Sequence, residues 1–224
     1  MKIKKLHSWN LSYSQAIALQ KSLCEKVQLI ELKKQPKTVA GIDCAFSRDK
    51  KKIIACAVLL KLPGFELIET KNAVQNLAFP YIPGLLSFRE APVAIAAVKK
   101  LKNEPDVFLI DGQGTAHPRR FGLACHLGLF FDKPTIGCAK SRLTGSFEEP
   151  ALEKGSYSPL KDGDEIIGAV VRTRTNIKPV FVSAGNKCLL KDAIKIILDC
   201  TTKYRIPEPA RLAHQMVTEL KLKT

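Results

Sequence analysis

Two short segments of this chain are almost wholly apolar, and they restrict the possible folds more than any other feature. Residues 107–110 read VFLI, and residues 134–139 read PTIGCA. A strand without a polar face is typical of the centre of a sheet that helices cover on both sides. A helix-like segment precedes each of these strands, and this alternation is typical of an α/β fold.

The order of the remaining segments predicts a mixed sheet. A helix from about Ser12 to Leu32 comes first, and three strand-like segments with short connections then indicate an antiparallel meander. Residues 148–165 are polar and predict a loop, and a hairpin and two helices (about 187–204 and 208–222) complete the chain. We therefore expect residues 1–224 to form a single α/β domain with helices on both faces of the sheet. This order suits a ribonuclease-H-like core, and it also admits other mixed α/β folds.

The charge of the chain indicates a polyanionic partner. Lys and Arg number 36 against 21 Asp and Glu, which gives a net charge of +15 and a pI near 9.6. Nucleic acid is the first expectation and an anionic membrane surface the second, although a basic surface also serves solubility. The basic residues are spread along the chain, as on one face of a folded domain.

Nothing in the sequence predicts a membrane span or a secreted protein. The chain has no apolar run of about 18 residues, and its N-terminus lacks the apolar region of a signal peptide. The seven cysteines contain no CxxC pair, and several lie in strand-like apolar segments where cysteine packs as a small hydrophobe. A reducing, cytoplasmic location is therefore expected, and a zinc site is not.

Two aspartates stand out because each ends or interrupts an apolar strand. Asp43 lies in VAGIDCAF, on the same strand face as Val39 and Gly41, and burying it unpaired would be costly. Asp111 directly follows VFLI, at the strand end where ligands gather in open α/β sheets. The alternatives are an ion-paired aspartate at a strand edge for Asp43 and a simple Asp-Gly turn for Asp111.

Glu90 and Lys140 can join these aspartates at one sheet edge. Glu90 lies near the start of a predicted helix, where a favourable first-turn charge is the alternative role. Lys140 ends the PTIGCA strand, where a lysine is usually just solvated. Clustered carboxylates hold Mg²⁺ or Mn²⁺, which orient water and neutralise a scissile phosphate, and a nearby lysine stabilises developing charge.

The segment after Asp111 has the composition of an anion site. It reads DGQGTAHPRR and places His117, Arg119 and Arg120 near the start of a helix, where a phosphate is favoured. Helix capping and solvation are the competing roles for the two arginines. A second unusual segment, AFPYIPGLLSFRE, encloses Tyr81 and Ile82 between Pro80 and Pro83 and predicts a stiff aromatic loop.

Seven segments together resemble the endonuclease V family of ribonuclease-H-like nucleases. They are VAGIDCAFS, PYIPGLLSFRE, LIDGQGTAHPRRFGLACHLG, PTIGCAKSRLTG, GAVVRTRT, PVFVSAGN and YRIPEPARLAH, and they span nearly the whole chain. The resemblance implies that Asp43, Asp111 and Glu90 bind metal, with Lys140 as the active-site lysine. His214 would lie beside the metal, at a position where the family carries His or Asp.

The resemblance also implies how a lesion is read. Residues 80–83 would form a wedge with Tyr81 at its tip, and an extruded hypoxanthine would enter a pocket beside Gly84, Leu86, Gly112 and His117. The expected reaction is Mg²⁺-dependent cleavage of deoxyinosine-containing DNA at the second phosphodiester 3′ to the lesion, with Mn²⁺ as a substitute. The expected products carry 3′-hydroxyl and 5′-phosphate ends, and the expected role is DNA repair by a monomer.

Three other readings remain open from the sequence. The first is an inosine-specific endoribonuclease, since some relatives favour RNA. The second is another ribonuclease-H-like nuclease, which would not need the proline-flanked aromatic. The third is a non-catalytic nucleic-acid-binding module, which would not need the acidic residues.

Overall fold

One eight-stranded sheet forms the centre of the molecule. The computed structural model describes residues 1–223. The helices are α1 (Tyr13–Cys24), α2 (Leu86–Val98), α3 (Leu123–Phe131), α4 (Leu190–Asp199) and α5 (Glu208–Lys223). The strands are β1 (Thr38–Phe46), β2 (Lys52–Lys61), β3 (Glu66–Asn76), β4 (Val107–Ile110), β5 (Thr135–Ala139), β6 (Tyr157–Asp162), β7 (Glu165–Val171) and β8 (Val180–Asn186).

The strand order is β3-β2-β1-β4-β5-β8-β7-β6. Strands β1, β4 and β5 are parallel to one another, and the flanking pairs on either side are antiparallel. The mixed sheet, the initial meander and the β7–β8 hairpin are therefore as the sequence predicts. The three parallel strands lie at the centre, so their carboxyl ends meet at one edge.

Helices cover both faces of the sheet, as the apolar strands require. Successive residues of β1 alternate between two hydrophobic cores: Val39 packs with α4 and α5, whereas Ala40 and Ile42 pack with α2 and α3. The strands β4 and β5 are buried along their whole length. Burial of these two layers of apolar side chains supplies the main driving force for folding.

The structure differs from the sequence prediction at two places. Helix α1 ends at Cys24 rather than near Leu32, and Leu29 and Ile30 are exposed. The polar segment predicted as a loop contains β6, which pairs with β7 and is buried on alternate residues only. An edge strand has one partner and one solvated face, so a polar sequence suffices for it.

No helix among residues 1–223 combines the length and the apolar character needed to cross a bilayer.

Candidate active site

Three predicted site residues lie at the carboxyl ends of the central parallel strands. Asp43 is in β1, and the pairing of Ile42 with Ile110 puts Asp111 beside it, immediately after β4. Lys140 directly follows β5, which is paired in parallel with β4. The topology thus brings together residues that are far apart in sequence, at the edge where α/β sheets bind ligands.

Asp43 is a buried carboxylate between a histidine and a second carboxylate. One of its oxygens lies 2.6 Å from Nδ1 of His214, and the other accepts a 2.7 Å hydrogen bond from the backbone N–H of Cys44. Burial raises the pKa of Asp43, and the negative charge of Asp111 raises it further. A cation at this point would relieve both effects, because it compensates charge that burial and repulsion disfavour.

His214 reaches Asp43 because α5 packs directly on β1. A Cβ atom on Gly41 would lie 2.0 Å from the carbonyl oxygen of Pro209, in the first turn of α5. Only a glycine permits this approach of two backbones. Gly41 therefore sets the distance between β1, which carries Asp43, and α5, which carries His214.

Asp43, Asp111 and His214 form a candidate metal site. One ligand atom from each of the three lies within 4.8 Å of the others. Nζ of Lys140 lies 2.6 Å from an oxygen of Asp111, so a positive charge is adjacent to the cluster. Two carboxylates and one imidazole suit a divalent cation that accepts oxygen and nitrogen ligands.

Glu90 lies near Asp43 and Asp111, but it is not one of the three residues whose ligand atoms lie within 4.8 Å of one another. It is the fifth residue of α2 and is buried, so it does not serve as a first-turn charge. Burial and the charges of Asp43 and Asp111 raise the pKa of Glu90 to about 8. Its predicted metal contact stays a prediction, and its electrostatic coupling to both aspartates places it beside the site.

A cavity of about 240 Å³ lies next to the acidic cluster. Its lining includes all four residues predicted to read the base (Gly84, Leu86, Gly112 and His117) and three of the four wedge residues (Tyr81, Ile82 and Pro83). Gly112 directly follows Asp111, so one end of the cavity adjoins the candidate metal site. The lining also includes Ser141, Arg142 and Leu143, which the sequence did not indicate as site residues.

The carbonyl oxygen of Gly84 is held by three side chains. Nε2 of Gln20 donates to it at 3.0 Å, Nη2 of Arg119 at 2.6 Å and Nε2 of His117 at 3.1 Å. The backbone N–H of Arg119 donates to Nδ1 of His117, which fixes the proton of the neutral ring on Nε2. Burial and the charge of Arg119 lower the pKa of His117 to about 4, so the ring is neutral near pH 7.

Gln20 is a site residue that sequence reasoning missed. It is buried on α1 and touches the pocket from 64 positions away in the chain. Its side-chain oxygen accepts a 2.6 Å hydrogen bond from Nε of Arg119. A buried glutamine on the apolar face of a helix is the only signal in the sequence, and it does not identify a partner.

The loop of residues 80–83, which is predicted to be a wedge, is anchored at its base and exposed at its tip. Phe79 and Leu85 are buried against α1 and α2, whereas Tyr81 is 69% exposed. The guanidinium of Arg89 lies 4.4 Å from the ring of Phe46 and 5.9 Å from the ring of Tyr81. Tyr81 therefore does not pack into the core.

The two arginines predicted as phosphate contacts bind protein groups. Arg119 contacts Gln20 and Gly84, as described above. Arg120 forms ion pairs with Asp162 at 2.9 Å and Glu165 at 2.7 Å, at the hairpin of β6 and β7. These contacts give both side chains a structural role, and a phosphate contact stays a prediction.

The mixed sheet, with two aspartates and a lysine at the ends of its central strands, defines the protein as a nuclease of the ribonuclease-H-like class. The sequence profile described as Endonuclease V matches residues 21–215. The chain belongs to the endonuclease V family, and it is a DNA endonuclease.

Known relatives cover nearly the whole chain. Endonuclease V of Methanothrix thermoacetophila is 50% identical over 96% of this chain and 94% of its own length. The crystal structure of endonuclease V from Streptomyces avermitilis matches with a TM-score of 0.93 and 38% identity, covering 100% of this chain and 99% of that one.

A solved complex is also similar. Ciona intestinalis endonuclease V, bound to a 24mer DNA containing an inosine followed by a ribo-adenosine, matches with a TM-score of 0.79 and 31% identity. The match covers 94% of this chain and 98% of that one. The family resemblance inferred from the seven segments is thus confirmed.

Proposed function

We propose that this protein recognises deoxyinosine in DNA and hydrolyses the second phosphodiester bond 3′ to it, leaving 3′-hydroxyl and 5′-phosphate ends. The observation that carries the proposal is the contact between the cavity and the acidic cluster, through the consecutive residues Asp111 and Gly112. Base recognition and phosphate chemistry then occur at adjacent places along one strand. The biological role would be repair of deaminated adenine in the cytoplasm by a monomer.

The acidic cluster supports a dependence on Mg²⁺, with Mn²⁺ as a substitute. Asp43 and Asp111 would hold the ion together with His214, and Glu90, the third predicted metal ligand, lies beside them. The fit rests on the donor set and on the raised pKa values of Asp43 and Glu90, which a bound cation would lower. A bound ion would supply an activated water and charge neutralisation at the scissile phosphate.

Lys140 is suited to stabilise the charge that develops on the phosphate. Its ammonium already lies 2.6 Å from Asp111, so it stands beside the carboxylates without further movement of the chain. A preorganised positive charge stabilises a transition state without reorganisation at the moment of reaction. Asp111 thus has two roles in the proposal, as a metal ligand and as the partner that orients this lysine.

The wedge and the cavity are suited to an extruded base. The exposed ring of Tyr81 can stack in the gap that the base leaves, and stacking on an aromatic ring returns roughly 1–3 kcal/mol per base. The cavity borders main chain at Gly84 and Gly112. Their N–H groups can donate to the six-oxo group of hypoxanthine, and the C=O of Gly112 can accept from its ring N–H. The threefold hydrogen bond to the Gly84 carbonyl fixes this part of the main chain before substrate binds.

A cleavage assay on matched strands tests the proposal. Labelled single strands of one sequence, carrying deoxyinosine, deoxyadenosine or riboinosine at the same position, are incubated with the protein and increasing Mg²⁺. We expect Mg²⁺-dependent cutting of the deoxyinosine strand, two phosphodiesters 3′ to the lesion, and no cutting of the deoxyadenosine strand.

Other outcomes would separate the alternatives. Faster cutting of the riboinosine strand would favour an inosine-specific endoribonuclease. Equal cutting with and without inosine would favour a general ribonuclease-H-like nuclease. Binding without any cutting at saturating Mg²⁺ or Mn²⁺ would contradict the proposed function.

A further inference from the structure

An exposed tyrosine with two cationic neighbours lies in the connection between α4 and α5. Tyr204 is 41% exposed, and the guanidinium carbon of Arg211 lies 4.5 Å from the centre of its ring. Nζ of Lys203 lies 5.3 Å from the same ring centre. An accessible aromatic ring among cations is the composition of a site that stacks a base and attracts its phosphate.

Hydrogen bonds of neighbouring residues hold the segment around this tyrosine in place. Both Nε and Nη2 of Arg211 donate to Oε2 of Glu208, at 2.8 and 2.7 Å, while the Thr202 hydroxyl donates to the other carboxylate oxygen. On the other side, Nη2 of Arg205 donates to the carbonyl oxygens of Lys140 and Pro179, at 2.8 and 2.7 Å. The ring is therefore carried by a fixed segment, and little conformational entropy would be lost on stacking.

The same contacts place the tyrosine next to the candidate metal site. Arg211 and His214 are three residues apart on α5, so their side chains are neighbours on one helix face. Arg205, adjacent to Tyr204 in sequence, holds the backbone of Lys140. None of residues 203–211 lines the base cavity, which meets the acidic cluster through Gly112 instead.

From this arrangement we infer that Tyr204, with Lys203 and Arg211, is a stacking platform for a nucleotide on the 3′ side of the scissile phosphate. The inference rests on the proposed function, which puts the flipped base 5′ of the cut and the acidic cluster at the cut. A strand running from the cavity through the cluster then continues toward α5. The platform binds the departing segment through its base and backbone and reads no sequence.

Strand binding and fluorescence test the platform directly. Inosine strands that end one or six nucleotides 3′ of the scissile bond are titrated against the full chain without divalent metal, together with strands carrying 2-aminopurine at the nucleotides 3′ of the cut. We expect the wild-type protein to bind the longer strand about tenfold more tightly and to quench 2-aminopurine at one of these positions.

Two variants of the tyrosine separate stacking from a merely structural role. In Tyr204→Ala we expect the advantage of the longer strand and the quenching to be lost, whereas Tyr204→Phe retains both because it keeps the ring. Thermal unfolding and the affinity for the shorter strand should match wild type in both variants. If Tyr204→Ala keeps both the length advantage and the quenching, the platform is wrong.

Two variants that each remove one lysine charge add a second measurement, the salt dependence of binding. Lys203→Ala should reduce the salt dependence of binding to the longer strand, because one phosphate contact is lost. Lys195→Ala, on the exposed side of α4 where it pairs with Asp199, should leave that dependence unchanged. Equal salt slopes for these two variants would argue against a backbone contact at Lys203.

The result can be distinguished from failure of the proposed function. If wild-type protein does not cut the inosine strand in Mg²⁺, the proposed function fails regardless of the fluorescence. If it cuts, and 2-aminopurine is quenched at none of the positions 3′ of the cut, the function stands and the platform is overturned.

Discussion

Nδ1 of His214 lies 2.6 Å from a carboxylate oxygen of Asp43, although the two residues are 171 positions apart. One is in the last helix and the other in the first strand, and α5 packs on β1 to bring them together. The candidate metal site therefore depends on the completed fold. Its geometry responds to changes at the helix–strand contact as well as to changes of its own ligands.

Replacing either aspartate of the cluster should separate catalysis from binding. In Asp43→Asn and Asp111→Asn we expect cleavage to fall by about a thousandfold or more, since charge stabilisation worth several kcal/mol is lost. Affinity for inosine DNA should stay within a few-fold of wild type, because the base cavity is unchanged. Single-turnover cleavage and equilibrium binding measure the two effects. Undiminished turnover in purified Asp43→Asn would remove that residue from the metal site.

Gly41 should control the same site indirectly. A Cβ atom there would overlap the Pro209 carbonyl, so Gly41→Ala forces α5 away from β1, at a cost of roughly 1–3 kcal/mol in the free energy of unfolding. We expect lower stability in urea. We also expect a higher Mg²⁺ concentration for half-maximal cleavage, because His214 is drawn away from Asp43.

A glycine outside the site provides the control for Gly41. Gly64 has φ +100° and open space around its Cβ position, so Gly64→Ala pays a backbone penalty without moving a helix. The free energy of unfolding of Gly64→Ala should fall, whereas the Mg²⁺ concentration for half-maximal cleavage should remain that of wild type. If Gly41→Ala needs no more Mg²⁺ for cleavage than wild type does, the contact between α5 and β1 does not control the metal site.

Tyr81 should govern discrimination between bases. Tyr81→Ala removes the exposed ring, so we expect the ratio of inosine to adenine cleavage to fall about tenfold, within the range of one lost stacking contact. Tyr81→Phe keeps the ring and should keep the ratio. Competition cleavage of the two labelled strands in one tube measures it. An unchanged ratio in Tyr81→Ala would contradict a wedge at this loop.

The buried histidines should make the protein sensitive to acid. Burial lowers the pKa of His126 well below its usual value and that of His117 to about 4, so both are neutral in the folded state. The unfolded chain binds protons below about pH 6.5, and the free energy of unfolding therefore falls as pH drops, by up to ~1.4 kcal/mol per pH unit for each histidine. The carboxylate of Glu90 acts in the opposite direction, because its raised pKa makes stability fall as pH rises toward 8.

The variant His126→Phe isolates one of these contributions. Phe88, Phe121 and Phe130 surround the ring, so a phenyl group fits the apolar part of the site, although the contacts with Ser87 and His7 are lost. Urea unfolding with EDTA at pH 7.5 and pH 5 should show a smaller loss of stability for the variant than for wild type. Parallel pH profiles would mean that His126 is protonated in the folded protein.

The sequence predicted the parts of the site that lie on strand ends. Asp43, Asp111 and Lys140 each follow or interrupt an apolar strand, and parallel strands bring such positions to one edge whatever their separation. Residues that reach the site from helices left weaker patterns, and Glu90 could be read equally as a first-turn charge. His214 was assigned from the family resemblance, and Gln20 was missed because its partner, Gly84, is chosen by the packing of α1 and not by local sequence.

The sequence did not reveal features that depend on contacts with distant parts of the chain. Strand β6 contains Pro159 and two charged residues, Lys161 and Asp162, yet it forms because β7 offers an unpaired edge. The arginines Arg119 and Arg120 were predicted as phosphate contacts from their place near a helix start. Their protein partners lie on α1, the wedge loop and the β6–β7 turn, which local sequence does not reveal.

The triple anchoring of the Gly84 carbonyl has a consequence for how lesions are searched for. Under the proposed function, a base-binding surface that is rigid before substrate arrives does not rearrange for each base that it samples. The slow step would then be the departure of that base from the duplex stack. Search speed along undamaged DNA should then depend on local melting of the helix. Regions that breathe readily should be surveyed fastest.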